Sequence, residues 1–206
     1  MKTEVYLIDI TAYSDEFVKA EYEKISSHFI STDGERLSKR KESLLSKILL
    51  CRTLEKSGVR EFQVHYKDSE KPRLISSSNM FFNISHSGRF VAVALSDSEV
   101  GCDIQEIKPY NPKVAKRNYC REETALIENA EDKDSIFIKL WALKESVLKY
   151  TGKGISGGLA TYDFSAFADE VKFTAYGYEF YTFRLEDTFF ALCYEGGNVE
   201  IIKTEV

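Results

Sequence analysis

Two stretches of this chain rhyme. FVAVALSDSEVGCDI (90–104) and TFFALCYEGGNVEII (188–202) each run as an apolar strand, a polar turn and a second strand. Segments this rich in β-branched and aromatic residues belong inside sheets. They lie about 100 residues apart and divide the chain into halves, each of which runs strand, helices, strands. The sequence therefore predicts an α+β protein made of two similar α+β subdomains related by a pseudo-twofold, residues 1–100 and residues 101–206. A chain of 206 residues, 43% of them apolar, is long enough to bury a core in such a pair.

In the first half, EVYLIDI (4–10) has the alternation of a strand, and 14–30 has a helical period behind a Ser14 N-cap. A second helix is predicted over 35–57, stopping near Gly58, with Leu44, Leu45, Ile48, Leu49 and Leu54 as its apolar face. FQVHY (62–66) is a short strand, and FFNISHSGRFVAVALS (81–96) is a hairpin turning at Gly88. In the second half VGCDIQEI is a strand, followed by helix over 112–130 and again over 134–151. The remainder reads as β, with a turn near Gly177.

Several classes are disfavoured. A net charge of −5 argues against broad nucleic-acid binding. No apolar run approaches the roughly 20 residues of a bilayer span. The opening MKTEVYLIDI is charged and β-like, unlike a leader, so a cytoplasmic protein is expected, with no membrane partner. Cys51, Cys102, Cys120 and Cys193 are scattered, as buried reduced thiols rather than a zinc site or disulfide frame. One local exception to the acidic balance is ERLSKRKESLLSK (35–47), where Arg36, Lys39 and Arg40 share a helical face. It is either a solvated surface or a place for an anion.

Three places carry polar groups where the pattern is otherwise apolar. The hairpin tip offers Ser85, His86, Ser87 and Gly88, which suit either a plain turn with a satisfied histidine or a phosphate clamp. In VGCDIQEI, alternation puts Gly101, Asp103 and Gln105 on one face and Val100, Cys102 and Ile104 on the other. A carboxylate so placed needs a partner, either a loop hydrogen bond or a metal. In 138–154 an apolar stripe including Leu140, Leu143, Val147 and Tyr150 opposes an arc of Trp141, Lys144, Glu145, Leu148 and Lys149. Glu145 and Lys149 can form an i, i+4 surface pair, but Trp141 and Leu148 beside them point to a covered face.

Asn-Ile-Ser-His-Ser (83–87), Gly-Cys-Asp-Ile (101–104) and Trp-Ala-Leu-Lys-Glu-Ser-Val-Leu-Lys (141–149), in this order, resemble the signature of the 4′-phosphopantetheinyl transferases, and more closely the surfactin-synthetase-activating type. The Lys71-Pro72 step and GKGIS (152–156) fit the same pattern.

The resemblance implies a monomeric enzyme that transfers the phosphopantetheine arm of coenzyme A to a serine of an acyl, peptidyl or aryl carrier protein, with Mg²⁺, releasing adenosine 3′,5′-bisphosphate. It implies Asp103, Gln105 and Glu145 as the metal set, and Asp103, Glu145 and Lys149 as catalytic. Glu145 is either a ligand or the group that takes or orients the serine proton. It implies Arg36, Lys39, Lys71, Ser85, His86, Lys144 and Lys149 as coenzyme A ligands. The chain departs from the family's pattern at Glu42 and Ser43, where an arginine is frequent, and at Gln105, where a second acid is frequent. Gln105 either ligates without charge or leaves its place to water, so weaker metal binding is expected. Glu123 either joins the site or favours a helix N-terminus. KVAKRNYCR (113–121), with Lys113, Val114, Lys116, Arg117, Tyr119 and Arg121, is expected to face an acidic carrier. The alternative is a catalytically weak coenzyme A-binding protein of the same fold.

Overall fold

The computed structural model describes residues 1–31, 38, 40–67, 70–154 and 158–206. Arg36 and Lys39 lie outside the described residues. The chain forms two compact units: Met1–Val100 together with Glu195–Val206, and Gly101–Tyr194.

The first unit runs β1 (Lys2–Asp9), α1 (Asp15–Ile25), β2 (Phe29–Ser31), α2 (Lys41–Lys56), β3 (Phe62–Tyr66), β4 (Arg73–Ser76), β5 (Phe81–Ser87) and β6 (Phe90–Ser96). The second runs β7 (Val100–Glu106), α3 (Pro112–Asn118), α4 (Arg121–Asn129), α5 (Lys133–Thr151), β8 (Lys172–Ala175), β9 (Tyr178–Leu185) and β10 (Thr188–Tyr194), and β11 (Asn198–Lys203) closes the chain. Among the described residues, no helix is long and apolar enough to cross a membrane.

Local chemistry sets these bounds. The Ser14 hydroxyl accepts from Phe17 N–H at 3.2 Å and starts α1. α2 begins at Lys41, later than the sequence predicts, because Arg40 is extended (φ −66°, ψ 146°). The single helix expected over 112–130 is two: Tyr119 and Cys120 are extended, and Cys120 opens α4 through a capping box with Glu123. α5 ends at Gly152 in the left-handed conformation (φ 69°).

In the first unit one sheet has the order β11-β1-β6-β5, and a smaller one has the order β2-β3-β4. β1 is antiparallel to β6 (Val5 opposite Ala94) and parallel to β11 (Val5 opposite Ile201). Leu45, Ile48, Leu49 and Leu54 of α2 share a core with Val91, Val93 and Leu95 of β6. In the second unit the order is β7-β10-β9-β8, and Leu140, Leu143, Val147 and Leu148 of α5 share a core with Phe180, Ala191 and Cys193.

The rhyming segments turn out not to be hairpins. β6 bonds to β1 and β5, while the β7 that follows it bonds to β10; β10 bonds to β7 and β9, while the β11 that follows it bonds to β1. Each rhyme is the chain leaving one unit for the other. For the same reason the second unit stops at Tyr194 rather than running to 206: pairing with β1 gives the last strand to the first unit.

Candidate active site

β7 and α5 meet at backbone distance. A Cβ built on Gly101 would stand 2.2 Å from Ser146 O and 2.3 Å from Tyr150 N, so the strand accommodates only glycine there. Asp103 lies two residues further along the same strand face and so is carried toward the same helix.

Its carboxylate, 2% exposed, is held at both oxygens. Lys149 Nζ donates to Oδ1 at 2.6 Å, and Gln105 Nε2 donates to Oδ2 at 3.0 Å. Glu145, one helical turn before Lys149, is 8% exposed. Burial pushes its carboxyl above the usual range, the Asp103 carboxylate pushes it further, and Lys149 pulls it partly back. Burial alone would depress the Lys149 ammonium. Asp103, first by its charge and then by its hydrogen bond, reverses this and holds its pKa above the ordinary lysine value.

Asp103, Gln105, Glu145 and Lys149 are thus brought together within the second unit. A carboxylate can only accept, so the amide NH₂ of Gln105 faces Asp103 and orients it. Lys149 reaches across to Asp103 on the strand as well as interacting electrostatically with Glu145, so it is not merely an i, i+4 surface lysine. Two neighbouring carboxylates, with Asp103 pushing up the proton affinity of Glu145, suit a hard divalent cation with oxygen ligands. Asp103 and Glu145 are the residues here that fit Mg²⁺.

Lys144 is placed elsewhere. It is fully buried, and its Nζ lies 2.7 Å from Glu123 Oε2, which is also fully buried. Nζ also donates to Leu159 O at 2.9 Å and to Tyr162 O, beside the Tyr119 ring. Glu123 completes the network by accepting from Cys120 N–H at 3.1 Å and from Phe164 N–H at 3.0 Å. Of the two roles open to Glu123, the helix N-terminus is the one observed, and Lys144 is a core cation rather than a coenzyme A ligand. The signal for this pair, an acid in the first turn of one helix and a lysine 21 residues later, is not visible as any periodicity.

In the first unit, Ser85 is buried opposite Ala92 and His86 is exposed opposite Val91, on alternate faces of β5. Lys71 Nζ donates to Glu99 Oε1 (3.1 Å), Glu99 Oε2 (3.2 Å) and Val100 O (2.8 Å). Of the segment expected to meet a carrier, Lys113, Lys116, Arg117 and Arg121 are exposed. Tyr119 is not part of that surface: it is 5% exposed, stacks on Phe137 and donates to Phe137 O at 2.7 Å. The extended backbone after α3 turns its ring inward.

Residues 99–197, which contain this cluster, match the family model of the 4′-phosphopantetheinyl transferase superfamily. Particular relatives bear out the resemblance seen in the sequence. The chain is 42% identical over 94 residues to the 4′-phosphopantetheinyl transferase psf-1 of Bacillus pumilus (45% of this chain, 40% of that one). It is 36% identical over 105 residues to the 4′-phosphopantetheinyl transferase Sfp of Bacillus subtilis (50% and 46%). It is 32% identical over 119 residues to the 4′-phosphopantetheinyl transferase AcpT of Salmonella typhimurium (55% and 60%). The chain spans about half the length of the curated relatives it matches.

Proposed function

We propose that this protein transfers the 4′-phosphopantetheine group of coenzyme A to a serine hydroxyl of an acyl, peptidyl or aryl carrier protein. The observation that carries the reading is the Asp103–Glu145–Lys149 cluster, set by the backbone contact of Gly101 with α5. The serine oxygen attacks the β-phosphorus of the coenzyme A pyrophosphate. The P–O bond to the nucleotide breaks, and adenosine 3′,5′-bisphosphate leaves. Asp103 and Glu145 would hold Mg²⁺, which would neutralise charge on the pyrophosphate oxygens.

The chain's own groups do the rest. Glu145, with its raised carboxyl, takes or orients the serine proton. Lys149 stays protonated well above neutral pH, and its charge opposes the negative charge that gathers on the leaving phosphate. Gln105 fixes the carboxylate plane of Asp103. Lys71, Ser85, His86, Arg36 and Lys39 remain the proposed coenzyme A ligands. A monomer in the cytoplasm, without nucleic-acid or membrane partners, is the state this reading carries.

The test mixes the protein with coenzyme A, Mg²⁺ and a panel of apo carriers and follows carrier mass. Gain of the pantetheine arm supports the reading. Coenzyme A binding without transfer to any carrier replaces it with the weak-binder alternative. The exposed Lys113, Lys116, Arg117 and Arg121 are the proposed carrier-facing charges. Reversing Lys116 and Arg117 to Glu should raise KM for carrier several-fold while leaving KM for coenzyme A in place. Equal changes in both constants would move the docking surface elsewhere.

A further inference from the structure

The ammonium of Lys71 has three N–H groups and three acceptors: both carboxylate oxygens of Glu99 and the carbonyl of Val100. It is 18% exposed, while Glu99 is 37% exposed. The charge of Lys71 is therefore already met by the Glu99 carboxylate. Glu99 lies in the short crossover Asp97–Glu99 that carries the chain from β6 to β7, and the third bond ties Lys71 to the first residue of β7.

We infer that Glu99 is an internal competitor for the phosphate-binding lysine: its carboxylate occupies the anion position on Lys71, and a phosphate of coenzyme A takes that position by displacing it. This rests on the proposed coenzyme A reading and adds to it a residue that sets affinity. The Val100 carbonyl bond keeps Nζ in place during the exchange, so the lysine is held ready while its counter-ion changes. Glu99, the more exposed of the two, swings out to water with its charge solvated, whereas Lys71 would lose its hydrogen bonds by moving. Glu99 makes no contact with the reacting atoms in this account. It is a positioning residue that tunes ligand entry.

Removing the competitor should tighten binding. For a partly exposed ion pair the expected gain is roughly fivefold in Kd for coenzyme A in Glu99→Gln, read by titration calorimetry. KM for coenzyme A should fall with it while kcat holds, a split that a merely structural role would not produce. Glu99→Ala should show the same direction, guarding against an effect peculiar to the amide. In a Lys71→Gln background Glu99→Gln should change nothing, because the competition has lost its object.

A Kd that is unchanged or weaker in Glu99→Gln, with the unaltered protein binding coenzyme A, overturns the competitor role and leaves the proposed function standing. Failure of the unaltered protein to bind coenzyme A at all overturns both. If Lys71→Gln binds as tightly as the unaltered protein, Lys71 is not a phosphate ligand and the competitor role falls with it.

Discussion

The two long helices bury lysines in opposite ways. Lys47 of α2 is 3% exposed. Its Nζ reaches Ser43 Oγ at 3.0 Å and Ser38 O at 3.4 Å, and the rings of Tyr22 and Tyr66 at 5.7 Å each. No carboxylate pairs with it among the described residues, and burial draws its pKa down to about 8. Lys144 of α5 is fully buried too, yet it meets a buried carboxylate and two backbone carbonyls. Otherwise the helices do the same job, each covering a four-stranded sheet. The difference reflects what each must hold in place. α2 covers a sheet with Leu and Ile, and one poorly compensated amine does not disturb that. α5 must keep Glu145 and Lys149 in register against β7, and the segment after it is fastened back onto α4 by a paired charge.

Breaking the chemistry of α5 gives the largest expected effect. Glu145→Gln should lower transfer about 10²–10⁴-fold, because it removes the carboxylate proposed to take or orient the serine proton or to hold the metal, while keeping shape. Its melting temperature should hold or rise, since repulsion with Asp103 goes too. Full turnover in the carrier-mass assay would remove Glu145 from the mechanism.

Next comes Lys144→Met, which strands Glu123 in the core and should cost about 3–5 kcal/mol in urea denaturation. Adding Glu123→Gln should recover part of that loss. A cost under about 1 kcal/mol would mean that the pair is not the fastening described.

The smallest effect has the opposite sign. Lys47→Met should stabilise by about 1–2 kcal/mol at pH 7, because the fold no longer has to bury an ammonium that meets no carboxylate among the described residues. The sign follows from proton counting. Below pH 8 the folded chain bears the whole cost of charging Lys47. Between about 8 and the ordinary lysine value the unfolded chain holds a proton that the folded one has released, so stability from this group rises with pH. The variant should lack that rise. A variant less stable at pH 7 would show the two tyrosine rings to be adequate compensation.

Much of this plan was legible in the sequence for a physical reason. Period-2 runs such as 90–96 and a capped 3.6-residue period such as that after Ser14 are local signals, and local interactions formed them. The Asp103–Glu145–Lys149 cluster was legible only through resemblance, since nothing in spacing alone brings residues 103 and 145 together. Gly101 was the overlooked clue: a glycine inside a buried strand marks a close backbone approach, and the approach is to α5. Lys144 was misplaced because its arc of the helix was taken as ligand-facing, whereas Leu159, Tyr162 and Phe164 close over α5 from a segment with no helical or strand period. The crossovers were missed because two consecutive strands joined by a short polar turn look like a hairpin until their partners are known.

Because β1 needs β11 beside it, the unit that begins first on the ribosome is completed last. Gly101–Tyr194 is contiguous and can close its sheet while the opening hundred residues still wait for their outer strand, which reverses the usual N-terminal-first order of synthesis-coupled folding. Until that strand arrives, the edge of β1 away from β6 presents a bare row of amides and carbonyls to solvent.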